Sequence, residues 1–261
     1  QAETLTRLRA LQTAHALALH TRALFRKLDY LSQDLGEHWL KEGREGSREA
    51  LLRAQLALPD GTLAGINVAD AEGRLVYSTV GEQTPLALGR LGIADYARFR
   101  VRLGGRERLF IGEPYRGRMT GTWIVPISRP LLQHGHLQGV IVLSVSLAHI
   151  TRALKELYPE ASNVAALLFE DGRYLAHSSR ADQALGRSVP ADRPYLVDRV
   201  SQQGNFDATA PLDGVERYYA WHRVAGFPLI AALGLSKQET LAPVLGTIRD
   251  SRIRSALVSL L

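Results

Sequence analysis

Eight histidines, 32 lysines and arginines and no cysteine set the chemistry available to this 261-residue chain. Without cysteine there is no disulfide, no thiolate zinc site and no cysteine nucleophile. His134 and His136 form an H-x-H in a turn, and alternate residues of an extended segment present both rings to one side, as a metal needs. No acidic residue or third histidine accompanies them, so they read as a solvated turn. His15 and His20 stand five apart on a helix, more than a full turn, and read as surface residues. No serine sits in a Gly-x-Ser-x-Gly elbow. Gly104-Gly105 falls between a helix and a strand, the reverse of the strand-to-helix order that cradles a phosphate. No catalytic residue, metal or cofactor is therefore assigned. What remains is recognition chemistry, arginines able to grip a carboxylate and aromatic side chains with polar tips.

The elements that would position such residues follow a repeated order. Leu17, Leu24, Leu28, Leu31, Leu35 and Trp39 fall at helical steps, with Leu5, Leu8 and Leu11 continuing the stripe towards the N-terminus. The spacing predicts one long helix over the first forty residues, broken at Gly43–Ser47 and followed by a second helix at Arg48–Leu56. The stripe exceeds what a lone surface helix needs and predicts a parallel dimer through this helix. Ile66–Ala69 and Arg74–Ser78 flank the turn Asp70-Ala-Glu-Gly73, the pattern of a β-hairpin. A short helix at Asp95–Arg102 follows, then strands at Arg108–Ile111, Gly121–Pro130 and Gly139–Ser146, with a turn at Gln133–His136 and a helix from Ser146 to Leu157.

The order then recurs about 100 residues on, too long a period for a solenoid. Ala165–Ser178 restates Gly65–Ser78, with Gly73-Arg74 matched by Gly172-Arg173 and Tyr77-Ser78-Thr79 by His177-Ser178-Ser179. Asp192–Tyr195 opens a helix, and Phe206, Tyr218–Arg223 and Pro228–Leu235 supply strands. Alternation sends Tyr219 and Trp221 to one face and Tyr218 to the other. Ser236-Lys-Gln-Glu239 is a capping box that starts a last helix. The expected fold class is α+β: a long N-terminal helix and two modules, each an antiparallel sheet with flanking helices.

The hydrophobic fraction of 46% suffices for two cores, and a net charge of +6 arises from scattered arginines with no basic run, which excludes a nucleic-acid reading. No stretch of 18 apolar residues is present. Ser255–Leu261 turns apolar directly after Arg252 and Arg254, as either the first turns of a membrane helix or an ordinary amphipathic helix end.

Three stretches, Leu109–Leu131, Gly135–Ser146 and Arg217–Ser236, together with the element order, resemble the double Cache family of extracytoplasmic sensors. The resemblance implies an N-terminal helical stalk at 1–58, a membrane-distal PAS-like module at 59–150, a membrane-proximal one at 151–240 and a C-terminal helix leading to the membrane at 241–261. It also implies a non-catalytic, periplasmic receptor ectodomain that binds a small ligand, usually in the distal module, and controls a diguanylate cyclase or histidine kinase. In a PAS-like module the pocket lies between the sheet and the segment covering it. For the distal module this gives Tyr77, Tyr96, Phe99, Arg102, Trp123 and Arg129 as ligand contacts. Tyr96 and Phe99 share a helix face, and either arginine suits a small carboxylate or other anion. His177 and Arg223 keep a proximal site possible. Tyr96 and Arg102 match part of the set carried by one amino-acid-binding version of the family, but no Trp-Tyr pair follows them. The alternative is a periplasmic interaction or dimerisation module without a small ligand.

Overall fold

The computed structural model describes residues 2–59, 61–80, 109–117, 121–157 and 162–239. The helix expected at Asp95–Arg102, with Tyr96, Phe99 and Arg102, lies outside the described residues, as does the segment 241–261. The chain divides into two compact units, one formed by residues 23–152 and the other by residues 1–22 with 153–261.

Helix α1 (Ala2–Ala57) contains the expected break: Gly43 sits at φ 69°, ψ −168°, a conformation that interrupts the helical ladder. The leucine stripe is present, and part of it is buried on the chain itself. Leu17, Phe25, Leu28 and Leu35 are buried within the monomer, whereas Leu24 and Leu31 are only half-buried and Leu5 and Leu8 are about half exposed. Small residues let the helix approach closely: a Cβ on Gly36 would come within 2.9 Å of Leu131 Cδ2.

In the first unit, β1 (Leu63–Asp70) and β2 (Leu75–Ser78) form the expected hairpin. They join β3 (Phe110–Ile111), β5 (Trp123–Gln133) and β6 (His136–Ser146) in the order β2-β1-β6-β5-β3, with an additional β4 (Tyr115–Arg116) against β5. The turn between β5 and β6 places His134 and Gly135 at positive φ, as a two-residue hairpin loop requires. Helix α2 (Leu147–Leu157) follows. The second unit contains β7 (Val164–Phe169), β8 (Tyr174–His177), short helices α3 (Ala181–Ala184) and α4 (Pro194–Val197), then β9 (Gln203–Thr209), β10 (Glu216–Arg223) and β11 (Leu229–Ser236). Its sheet runs β8-β7-β11-β10-β9, the same hairpin-plus-meander topology as the first. Ser236 Oγ accepts a hydrogen bond from Glu239 N at 3.4 Å, one half of the anticipated capping box.

The two hairpins match in detail, with one correction to the sequence pairing. Both turns hold glycine at positive φ, 79° at Gly73 and 89° at Gly172. The Gly73 amide bonds the Asp70 carbonyl as the Gly172 amide bonds that of Phe169. Thr79 Oγ1 accepts from the Ile66 amide as Ser178 Oγ accepts from that of Ala165. Thr79 therefore corresponds to Ser178, and Ser78 to His177. The sequence pairing of Tyr77 with His177 was one residue out of step. A one-residue slip in a strand exchanges faces, so the correction decides where His177 points.

Candidate functional site

Register assigns the faces of each sheet. In the first unit Tyr77, Val68, Ile141 and Arg129 are successive cross-strand partners and form one row. That row meets α1. Trp39 of α1 packs on Tyr77 with ring centroids 5.8 Å apart, and the Gly36 position lies against Ile141. Arg129 Nε donates to Ser32 Oγ at 3.0 Å and its Nη2 to the Asp29 carboxylate. Trp123 shares the parity of Arg129 on β5 and is half-buried. Of the six distal site residues, Tyr77 and Arg129 thus sit on the helix-covered face and Trp123 at the same parity, while Tyr96, Phe99 and Arg102 lie outside the described residues. The row on the opposite face is Ser78, Asn67, Val142 and Ser128. It is polar, and Asn67 Nδ2 donates to Ser144 Oγ at 3.3 Å.

The equivalent row of the second unit is His177, Ala166, Ala232 and Trp221. His177, Ala166 and Ala232 of this row floor a small cavity that opens partly to solvent. Apolar lining comes from Val164, Ala166, Leu168, Val189, Pro211 and Ala232, and polar lining from Tyr174, His177, Arg193, Tyr195 and Tyr219. The aromatic rings brace one another. Phe206 stacks on Tyr219 (centroids 5.1 Å, planes 10° apart), and Tyr195 meets both Phe206 and Trp221 edge-on. Such contacts fix ring orientation as well as burying area.

The polar groups are aimed and largely unengaged. His177 Nδ1 accepts from the Ser179 and Arg180 amides at 3.3 and 3.1 Å, which leaves the proton of the neutral ring on Nε2. Burial, seconded by the Arg217 cation, pushes the His177 pKa down to about 4, so the ring is neutral at pH 7. Burial pushes the Tyr174 phenol up to about 12 and raises Tyr195 and Tyr219 as well. The three phenols act on one another electrostatically and each feels Arg193, so they converge on one region. Among the described residues the Tyr174 and Tyr195 hydroxyls and His177 Nε2 have no hydrogen-bond partner, although Tyr195 is only 2% exposed.

Two arginines behind the cavity are engaged. Arg217, buried on β10, binds Asp213 through two bonds of 2.7 Å and donates to the Ser162 carbonyl. Those bonds hold the Asp213 carboxyl below its usual range. Arg223 donates to the carbonyls of Tyr195, Asp198 and Ser201. The proximal ligand role considered for Arg223 is thus replaced by a brace on the loop that carries Tyr195. Arg193 is held more loosely, by a 3.5 Å bond from Nη2 to the Thr209 carbonyl. Its nearest carboxylate, Asp192, is 3.6 Å away and 79% exposed, and its guanidinium lies 5.5 Å over the Phe206 ring.

Sequence reasoning raised His177 but did not assign Tyr174, Tyr195, Tyr219 or Arg193 to a pocket. The usable signal was parity on β10, which places Tyr219 and Trp221 on one face as anticipated, with Arg217 and Arg223 at the same parity. Tyr218 and His222 take the α1 side, where Arg7 lies 4.8 Å over Tyr218 and His15 contacts His222.

Two sheets of one topology, each with one face on the long helix, define a tandem PAS-like domain. The Cache domain family matches residues 1–244, and the chain belongs to it; Cache domains are non-catalytic. By structure the chain is similar to an extracellular domain assigned to a histidine kinase, rpHK1S-Z16, at 24% identity and TM-score 0.76, covering 91% of this chain and 97% of that one. It is also similar to the ligand-binding domain of the Pseudomonas fluorescens chemoreceptor CtaA in complex with L-isoleucine (16%, 0.67, 90% and 94%). A third likeness is to that of the Pseudomonas aeruginosa amino-acid chemoreceptor PctB in complex with L-Arg (19%, 0.63, 88% and 95%). At these identities the likeness is one of fold. Comparison with curated protein sequences finds no match.

Proposed function

We propose that this chain is the periplasmic, ligand-sensing part of a bacterial membrane receptor that regulates a histidine kinase or diguanylate cyclase. The observation that carries the reading is the Cache-domain match over 1–244, in a chain sharing its fold with domains whose structures hold L-isoleucine and L-Arg. The distal part of the reading places a ligand on the Asn67 face of the first sheet, with Tyr96, Phe99 and Arg102 contributing from the covering segment. Tyr77 and Arg129 act there through α1. Thermal shift against a panel of amino acids and small carboxylates tests it. A ligand present at 100 times its Kd stabilises the fold by about 2.7 kcal/mol. A panel without any stabilising compound counts against sensing.

Homodimerisation through α1 belongs to the same reading. Leu5, Leu8 and Leu19 share a helix face and are each about half exposed. Membrane tethering would raise the effective concentration of a weak pair. Analytical ultracentrifugation of the wild type and of Leu5→Glu/Leu19→Glu tests it, and identical sedimentation at high concentration removes it.

A further inference from the structure

From the cavity of the second module we propose a second binding site, specific for a small monocarboxylate without an ammonium group. The inference rests on the sensor reading for its biological meaning, but not for its chemistry. Tyr195, Tyr174 and His177 are 2%, 7% and 5% exposed, yet each turns a polar atom without a protein partner towards the same space. The side chains are nearly buried, but their unpartnered atoms meet the partly open cavity, where a ligand can take up the hydrogen bonds that solvent otherwise makes.

The polarity of the lining specifies its class. At neutral pH the phenols and the neutral imidazole offer O–H and N–H donors, and Arg193 supplies the positive charge. Its side chain is 13% exposed and its one nearby carboxylate stands in solvent. Donors converging beside a cation match a carboxylate, which only accepts. Among the described residues no carboxylate lines the cavity, and Asp213 is bound by Arg217. An α-ammonium entering here would be desolvated without a counter-charge, a heavy penalty. This excludes the amino acids held by the chemoreceptor domains of the same fold. Ala166, Ala232 and Val164 leave apolar room for a short alkyl tail. Burial, with the Arg217 and Arg180 cations outweighing Asp213, keeps His177 neutral, so it donates to a carboxylate.

Isothermal calorimetry on the whole chain with acetate, propionate and butyrate, and separately with L-alanine, tests the assignment. Arg193→Gln and Tyr195→Phe, with near-UV circular dichroism confirming their fold, are expected to weaken carboxylate binding about tenfold each. Tyr195→Phe is also expected to leave the unliganded fold at least as stable, because its hydroxyl bonds nothing in the protein. Absence of carboxylate binding overturns the proposal, as does binding unchanged in both variants. So does loss of stability in Tyr195→Phe without loss of affinity, which marks the hydroxyl as structural. L-alanine binding equally well to wild type and both variants, with no carboxylate bound, overturns this site while leaving the sensor reading intact.

Discussion

The two sheets share topology, turn and bulge position, yet place opposite materials on corresponding rows. On the face away from α1 the first sheet presents Ser78, Asn67, Val142 and Ser128, where the second presents His177, Ala166, Ala232 and Trp221. On the α1 face the direction of charge also differs. In the first unit a sheet arginine, Arg129, reaches Asp29 on the helix. In the second a helix arginine, Arg7, reaches Asp207 on the sheet. A duplicated scaffold therefore constrains backbone and register, while side chains at equivalent points diverge freely. The second module puts its aromatic mass and its tightest ion pair around a cavity. The first ties its sheet to the helix.

Breaking that ion pair should produce the largest effect. Arg217 is 1% exposed, and Arg217→Met leaves Asp213 without its two strongest bonds, at a cost of roughly 3–5 kcal/mol in urea unfolding. A cost near that of an exposed pair would show that the second module is not organised around Arg217. Next comes pH. The folded state holds His177 neutral down to about pH 4, whereas the unfolded chain protonates it near 6.5. Above 6.5 the residue contributes no pH dependence. As pH falls from 6.5 to 4 the unfolded state takes up a proton that the folded state refuses, and stability drops by roughly 3 kcal/mol. His177→Gln should flatten the profile in that window, ahead of the carboxylates, whose lowered values act further down. An unchanged profile would place His177 in a wetter site than its 5% exposure indicates.

Arg129→Met should cost less than Arg217→Met, about 1–2 kcal/mol, because the abandoned Asp29 is 41% exposed and rehydrates. Equal losses for the two arginines would erase the contrast between modules. The smallest change is expected from Arg7→Ala. Its pair with Asp207 is well hydrated, with the side chains 28% and 37% exposed, and Lys237 also serves Asp207, leaving about 0.5 kcal/mol or less.

Much of this was legible in the sequence because backbone demands leave residue signatures. A glycine at positive φ closes each hairpin, so Gly73 and Gly172 announced the duplication. Gly43 announced the break in α1. Strand parity correctly separated Tyr219 and Trp221 from Tyr218. Parity alone does not say which face a distant helix covers, and for that reason Tyr77 and Arg129 were assigned to a pocket although they meet α1. The bulges at Val68/Ala69 and Leu167/Leu168 are silent in composition. The similarity of Ser-Thr to Ser-Ser then allowed His177 to be paired one residue out of step. The pairing of Arg217 with Asp213 was also invisible, since two residues four apart on a turn and a strand carry no helical spacing rule.

The bonds from Arg223 bear on local unfolding. The loop after Tyr195 exposes Val197 and Val200 at 72% and 85%, an inviting site for a protease. Yet three of its carbonyls, at Tyr195, Asp198 and Ser201, converge on one guanidinium rooted in β10. The loop cannot fray one residue at a time, because releasing any of these carbonyls loosens the anchor of the others. Loop and strand thus open as a single cooperative unit, and amide exchange in the loop should follow that of β10 more closely than its exposure alone implies.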